Sequence, residues 1–274
     1  MPFTVSEPRA PLTPVLVEVP HAGLELDPQA LATLAASARA LGADADLYVD
    51  QLYADAPDVG AALISARMSR YVCDLNRADS DVDALAVEGG TARSSPHGFV
   101  WRTTTEGRPA LLGAVSQAEY QRRVELYHRP YHDRIAALLD ERRKRHGFAI
   151  LLCAHSMPSR GRDGHDDAGI ERADIVPGTR GRSTAGAPVI ALVEELAARE
   201  GFKLRHDEPY RGGYTTGHYG RPRDGVHAIQ IELARRLYMD ERTLAKRPTE
   251  FARLQRFCKE LVAALGTLKL QAGA

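Results

Sequence analysis

FAILLCA (148–154) is an apolar run at both odd and even positions, and it stops abruptly at His155. A strand with one solvated face alternates apolar and polar residues. A strand apolar throughout is buried on both sides, as in a sheet covered by helices. Two more runs read as strands: VLVEV (15–19), buried and ended by Pro20, and HAIQIEL (227–233). AALIS (61–65), YVCDL (71–75) and FKLRH (202–206) read as shorter strands.

Helical signals lie between them. Asp27-Pro28 opens a helix running to Leu41, with a capping carboxylate and proline at the first helical position. A second helix is expected over Asp46–Ala56. Ser116-Gln-Ala-Glu119 is a capping box that starts a long helical stretch to His146, interrupted near Pro130 and stopped by Gly147. A helix from Pro188 to Glu200 ends at Gly201, and two helices close the chain, the last over about Thr249–Leu265. The Pro-rich residues 1–14 read as an arm, 78–113 as irregular, and 156–185 as a long Gly-rich loop of the functional sort. Strands alternating with helices predict an α/β fold: a three-layer α/β/α arrangement around a mostly parallel or mixed sheet. No repeat or linker divides the sequence, so one domain over 1–274 is expected.

Composition narrows the function. The 274 residues carry 36 basic and 36 acidic side chains, so no overall field favours nucleic acid or anionic lipid. Cys73, Cys153 and Cys258 are scattered and odd in number, which fits buried thiols in a reducing compartment. Neither a signal core nor a membrane-length apolar run occurs, and a cytoplasmic location is the expectation.

In sheets of this type ligands gather beyond the carboxyl ends of the strands. His21 follows VLVEV-Pro, His155 follows FAILLCA, and Glu232 ends AIQI. Two histidines and a carboxylate are the usual protein ligands of catalytic zinc, with water in the fourth position. HExxH is absent, and Glu25, Asp44, Asp46 and Asp50 are all open as the third ligand by spacing. A carboxylate closing an apolar strand, as Glu232 does, needs a catalytic role or a cation such as Arg235 or Arg236. His128 and His132 have the i, i+4 spacing of helical metal ligands, but no carboxylate accompanies them and Pro130 intervenes; they read as packing and surface residues. GTRGRS (178–183) lacks the P-loop lysine, and RRKRH (142–146) suits a helix C-terminus.

The segments VPHAGLEL (19–26), DADLYVDQLY (44–53), SRYVCDLNRAD (69–79), LLCAHSMPS (151–159), ADIVPGTRGRS (173–183), EPYRGGYTTGHYGRP (208–222) and HAIQIELARRLYMDE (227–241) stand in the order of the motifs of one family. Together they resemble the N-formylglutamate amidohydrolase family over about residues 15–240, and the DLNR block is more distantly similar to aspartoacylase and the zinc carboxypeptidases. The resemblance implies a carboxypeptidase-like fold and one zinc ion bound by His21, Asp46 and His155. Asp46 matches the second acid of the family's D-x-D block, Asp44 being the reserve; Leu47 stands where tryptophan often follows.

It further implies Glu232 as general base, Asn76 and Arg77 as binders of the substrate α-carboxylate, and Arg70 as stabiliser of the oxyanion. Tyr214, on the YRGGYTTG loop, is a candidate substrate contact, and Arg180 or Arg211 a reader of a second carboxylate. The implied activity is hydrolysis of N-formyl-L-glutamate in histidine degradation. The alternatives are a zinc carboxypeptidase, an acylase for another N-acyl amino acid, or a non-catalytic amino-acid-binding relative.

Overall fold

A computed structural model describes residues 1–90, 96–163 and 166–270. Its sheet has six strands: β1 (Phe3–Ser6), β2 (Val15–Val19), β3 (Ala62–Ala66), β4 (Ala149–Met157), β5 (Ile175–Gly178) and β6 (Val226–Ala234), in the order β1-β3-β2-β4-β6-β5. The four central strands run parallel, and both edge strands are antiparallel to their neighbours. The helices are α1 (Pro28–Leu31), α2 (Ala38–Asp44), α3 (Val49–Leu52), α4 (Gln117–Arg123), α5 (Arg129–His146), α6 (Ala187–Arg199), α7 (Tyr214–Tyr219) and α8 (Pro248–Thr267). A π turn, Val124–His128, joins α4 to α5.

The two-residue period of the strands sorts the core into two layers. Val15, Val17, Ile150, Leu152, Ile229 and Ile231 pack with residues of α3, α6 and α8. Leu16, Leu151, Cys153 and Ala228 pack on the other side with Tyr131, Ile135 and Leu138 of α5. Each such aliphatic side chain stabilises the fold by roughly 1.5–3 kcal/mol on full burial. On the second face the pattern changes towards the carboxyl ends: two residues beyond Leu16, Cys153 and Ala228 stand Glu18, His155 and Gln230, with Glu232 next on β6. That switch from apolar to polar at fixed parity builds the site.

Several expected elements differ. YVCDL is not a strand but a run of turns and irregular backbone. Its side chains point in three directions instead of two: Tyr71 packs beside Trp101, Val72 beside Met68, and Cys73 and Leu75 into the sheet core. FKLRH contributes a single bridge, Ile175 to Leu204. The arm holds edge strand β1. The loop expected over 156–185 holds the end of β4 and strand β5, whose Pro177 is tolerated at an edge.

Asp27 caps α1 as expected, accepting from the Gln29 and Ala30 N–H groups, but the helix ends at Leu31 and a new one starts at Ala38. Asp46–Ala56 likewise shrinks to α3 and a 3₁₀ turn, and one 3₁₀ turn, Arg235–Leu237, precedes α8 in place of a helix. Residues 91–95 of the expected irregular stretch and 164–165 of the expected loop lie outside the described residues. No helix among the described residues is long and apolar enough to cross a membrane.

Candidate active site

His21 follows β2, His155 lies near the end of β4, and Asp46 follows α2; all three are buried. Asp46 Oδ2 lies 3.0 Å from His155 Nδ1 and 3.5 Å from His21 Nδ1. The potential ligand atoms of the three residues all lie within 4.8 Å of one another, so they form a group able to hold a metal ion. Burial works to raise the Asp46 carboxyl, but hydrogen bonds from His155 and His21 and their charge outweigh it and hold it well below the usual range.

The far sides of both imidazoles are also held. His21 Nε2 is 2.7 Å from Asp74 Oδ1, and His155 Nε2 is 3.3 Å from Asn76 Nδ2. Burial would raise Asp74 too, yet His21 and Arg70 keep it ionised and well below its usual value. An ionised carboxylate only accepts, so His21 Nε2 carries the hydrogen. With Nε2 so engaged, Nδ1 is the ring nitrogen left on the side of the Asp46 carboxylate. Such outer partners fix ring orientation at metal-binding histidines.

Asp46, not Asp44, faces the imidazoles. Asp44 turns to the Tyr71 hydroxyl at 2.5 Å, to the Thr105 N–H and hydroxyl, and to Arg162 Nη1 at 2.8 Å. Glu25 is at the surface with Arg67. Arg235 secures the Asp46 loop by donating to Ala43 O at 2.6 Å and Ala45 O at 2.7 Å, and it reaches Asp46 Oδ1 at 3.4 Å.

Glu232 stands beside His155 in the β4–β6 ladder. Its Oε1 accepts from Gln230 Nε2 at 2.8 Å, and burial raises its pKa, with His155 opposing. Neither Arg235 nor Arg236 forms an ion pair with it; Arg236 binds Asp174 instead. A carboxyl shifted upward in this way is suited to both take and give a proton near neutral pH.

These groups open into a cavity of about 290 Å³, which Arg70, Arg77, Arg162, Arg211 and Arg235 also line. Arg70 donates to Asp74 Oδ2 at 2.9 Å and lies 4.2 Å from the Trp101 ring centroid. Arg77 Nε donates to His97 O at 2.8 Å.

A profile of the N-formylglutamate amidohydrolase family matches residues 13–239. The chain belongs to the N-formylglutamate amidohydrolase family. As a member it is an enzyme that hydrolyses an amide. It is 36% identical over 232 residues to an N-formylglutamate deformylase of Pseudomonas putida, covering 83% of this chain and 82% of that one. A Pseudomonas aeruginosa protein of the same name is 35% identical over 231 residues, covering 83% of each. The crystal structure of an N-formylglutamate amidohydrolase from Ralstonia eutropha superposes with a TM-score of 0.87 at 27% identity, covering 97% of both chains.

Within this amidohydrolase the cavity gathers His21, Asp46, Arg70, Asn76, Arg77, His155 and Glu232. The Tyr214 ring is not among its lining groups: it stacks on His218, with centroids 4.9 Å apart. Tyr214 instead approaches through its backbone, its N–H donating to Asn76 O at 3.3 Å. Arg211 lines the cavity, whereas Arg180 is not among its lining residues and donates to Gly212 O.

Sequence reasoning assigned no role to Asp74, Gln230 or Arg162. Asp74 is the acid of the DLNR block, and a charged residue inside an apolar run was the signal for it. Arg162 lay in the polar loop and carried none.

Proposed function

We propose that this amidohydrolase hydrolyses N-formyl-L-glutamate to formate and L-glutamate with one zinc ion held by His21, Asp46 and His155. One observation carries the reading: a buried His-Asp-His donor set lies next to the Glu232 carboxyl, in a cavity rich in guanidinium groups. The names of the relatives point to the same substrate. When bound, zinc polarises a carbonyl oxygen and brings the pKa of water towards neutrality.

The side chains have separable tasks. Glu232 accepts a proton as water attacks the formyl carbon, then delivers it to the departing glutamate nitrogen. Arg70, fixed by Asp74 and Trp101, stabilises the negative charge that develops on the formyl oxygen. Asn76 and Arg77 bind the α-carboxylate, for which a guanidinium offers two parallel hydrogen bonds. Tyr214 takes part through its N–H to Asn76 O. Arg211, an exposed residue that makes no ion pair with the described residues, is available for the distal carboxylate.

The zinc-loaded protein should turn over N-formyl-L-glutamate with a higher kcat/KM than N-formyl-aspartate, N-acetyl-aspartate or a short peptide. Preference for the acetyl or peptide substrate would refute the substrate assignment.

A further inference from the structure

Asn76 and Arg77 lie on the irregular segment Tyr71–Arg77, whose carbonyl groups have no strand ladder to join. A buried polar group left without a partner costs about 1–3 kcal/mol, so the segment's conformation depends on where its carbonyls go. Val72 O accepts from Arg123 Nη1 at 2.9 Å. The next carbonyls in question are consecutive. Leu75 O lies 3.1 Å from His132 Nε2, Asn76 O accepts from the Tyr214 N–H, and Arg77 O lies 2.9 Å from His128 Nε2. A carbonyl only accepts, so each Nε2 carries its hydrogen and donates.

We propose that His128 and His132 are positioning residues for substrate binding. They clamp the backbone on either side of Asn76, fixing the angle at which Asn76 and Arg77 meet a carboxylate. The inference rests on the proposal that Asn76 and Arg77 bind the α-carboxylate.

The helix is built for this contact. The π turn Val124–His128 immediately precedes α5, and such turns reset the rotational phase of the residues after them. With that phase, α5 gives Tyr131, Ile135 and Leu138 to the core while His128 and His132 meet the substrate segment. The rings are held as a cluster: His128 and His132 centroids are 4.2 Å apart, and Tyr214 is 5.4 Å from His132. Tyr219 Oη lies 2.9 Å from His132 Nδ1, so both nitrogens of that ring are engaged. The spacing that suggests metal ligands instead serves two carbonyls.

The test uses the zinc-loaded full chain and two substrates, N-formyl-L-glutamate and 4-formamidobutanoate, which lacks only the α-carboxylate. Their ratio of kcat/KM reads α-carboxylate recognition and cancels a general loss of active protein. Glutamine at either position retains a donor near Nε2, whereas methionine fills the space without one. His128→Met and His132→Met should each cut that ratio about tenfold, mainly through a higher KM for N-formyl-L-glutamate. His128→Gln and His132→Gln should recover most of it.

Equal losses for both substrates, or no difference between the Met and Gln variants, would overturn the inference. Should the Met variants not fold, the Gln variants still decide, because a tenfold fall in the ratio in folded His128→Gln or His132→Gln contradicts the donor role. Arg77→Ala separates the underlying reading. If it leaves the ratio unchanged, the α-carboxylate assignment fails and the inference with it. If it abolishes the preference while the Met variants match the parent, only the clamp is refuted.

Discussion

Replacing His132 with glutamine should remove a defined part of the protein's acid sensitivity. Burial, reinforced by the charge of neighbouring His128 and opposed by the hydrogen bond to Leu75 O, lowers the His132 pKa from 6.5 to about 3. His128, Tyr131, Tyr214 and Tyr219 surround the ring, the charge of His218 also bears on it, and among the described residues no carboxylate forms a hydrogen bond or ion pair with it. The folded pKa lies below the unfolded one, so acid protonates the unfolded chain first. Stability is therefore fully present above pH 6.5 and falls as pH drops towards 3. Each pH unit in that window costs about 1.4 kcal/mol, or about 2 kcal/mol between pH 6.5 and 5. Urea unfolding of the parent and His132→Gln at pH 7 and pH 5 isolates the contribution. The parent should lose about 2 kcal/mol more than the variant over that interval. Equal losses would show that His132 is not held neutral by its surroundings, and would refute the reasoning.

Three further substitutions probe the site. Glu232→Gln should keep its metal and lose about 10²–10⁴-fold in kcat, the usual worth of a general base; turnover like the parent's would remove Glu232 from the mechanism. Arg235→Met should weaken metal retention about 10–100-fold, because it frees the loop that aims Asp46; competition with a chelator measures this, and parental retention would count against the role. Arg211→Ala should lower kcat/KM for N-formyl-glutamate about tenfold, with little change for N-formyl-alanine; equal effects on both would move the distal carboxylate elsewhere in the cavity.

The central strands, and two of the three residues of the candidate metal group, His21 and His155, were legible in sequence because each depends on a local signal. A largely apolar strand that stops at a polar side chain marks a group needing a partner, and His21, His155 and Glu232 are such endings. The capping patterns at Asp27 and Ser116 located helix starts equally well. What escaped depends on tertiary partners. YVCDL has the composition of a strand, but Asp74 within it is a buried acceptor for His21, Arg70 and Trp101, a bonding pattern no ladder offers. The Asp27 helix stops early while its cap is also gripped by Arg122 and Tyr127 from nearly a hundred residues away. The choice between Asp44 and Asp46 turned on which of two carboxylates Tyr71, Thr105 and Arg162 would occupy. Likewise, His128 and His132 read as packing and surface residues until the carbonyls opposite them were known.

The most direct measurement is a crystal structure of zinc-loaded protein with anomalous data at the zinc edge. One strong peak should lie about 2.0–2.2 Å from a ring nitrogen of His21, a ring nitrogen of His155 and an Asp46 carboxylate oxygen together. A peak bonded elsewhere, or to only one of these residues, would contradict the account.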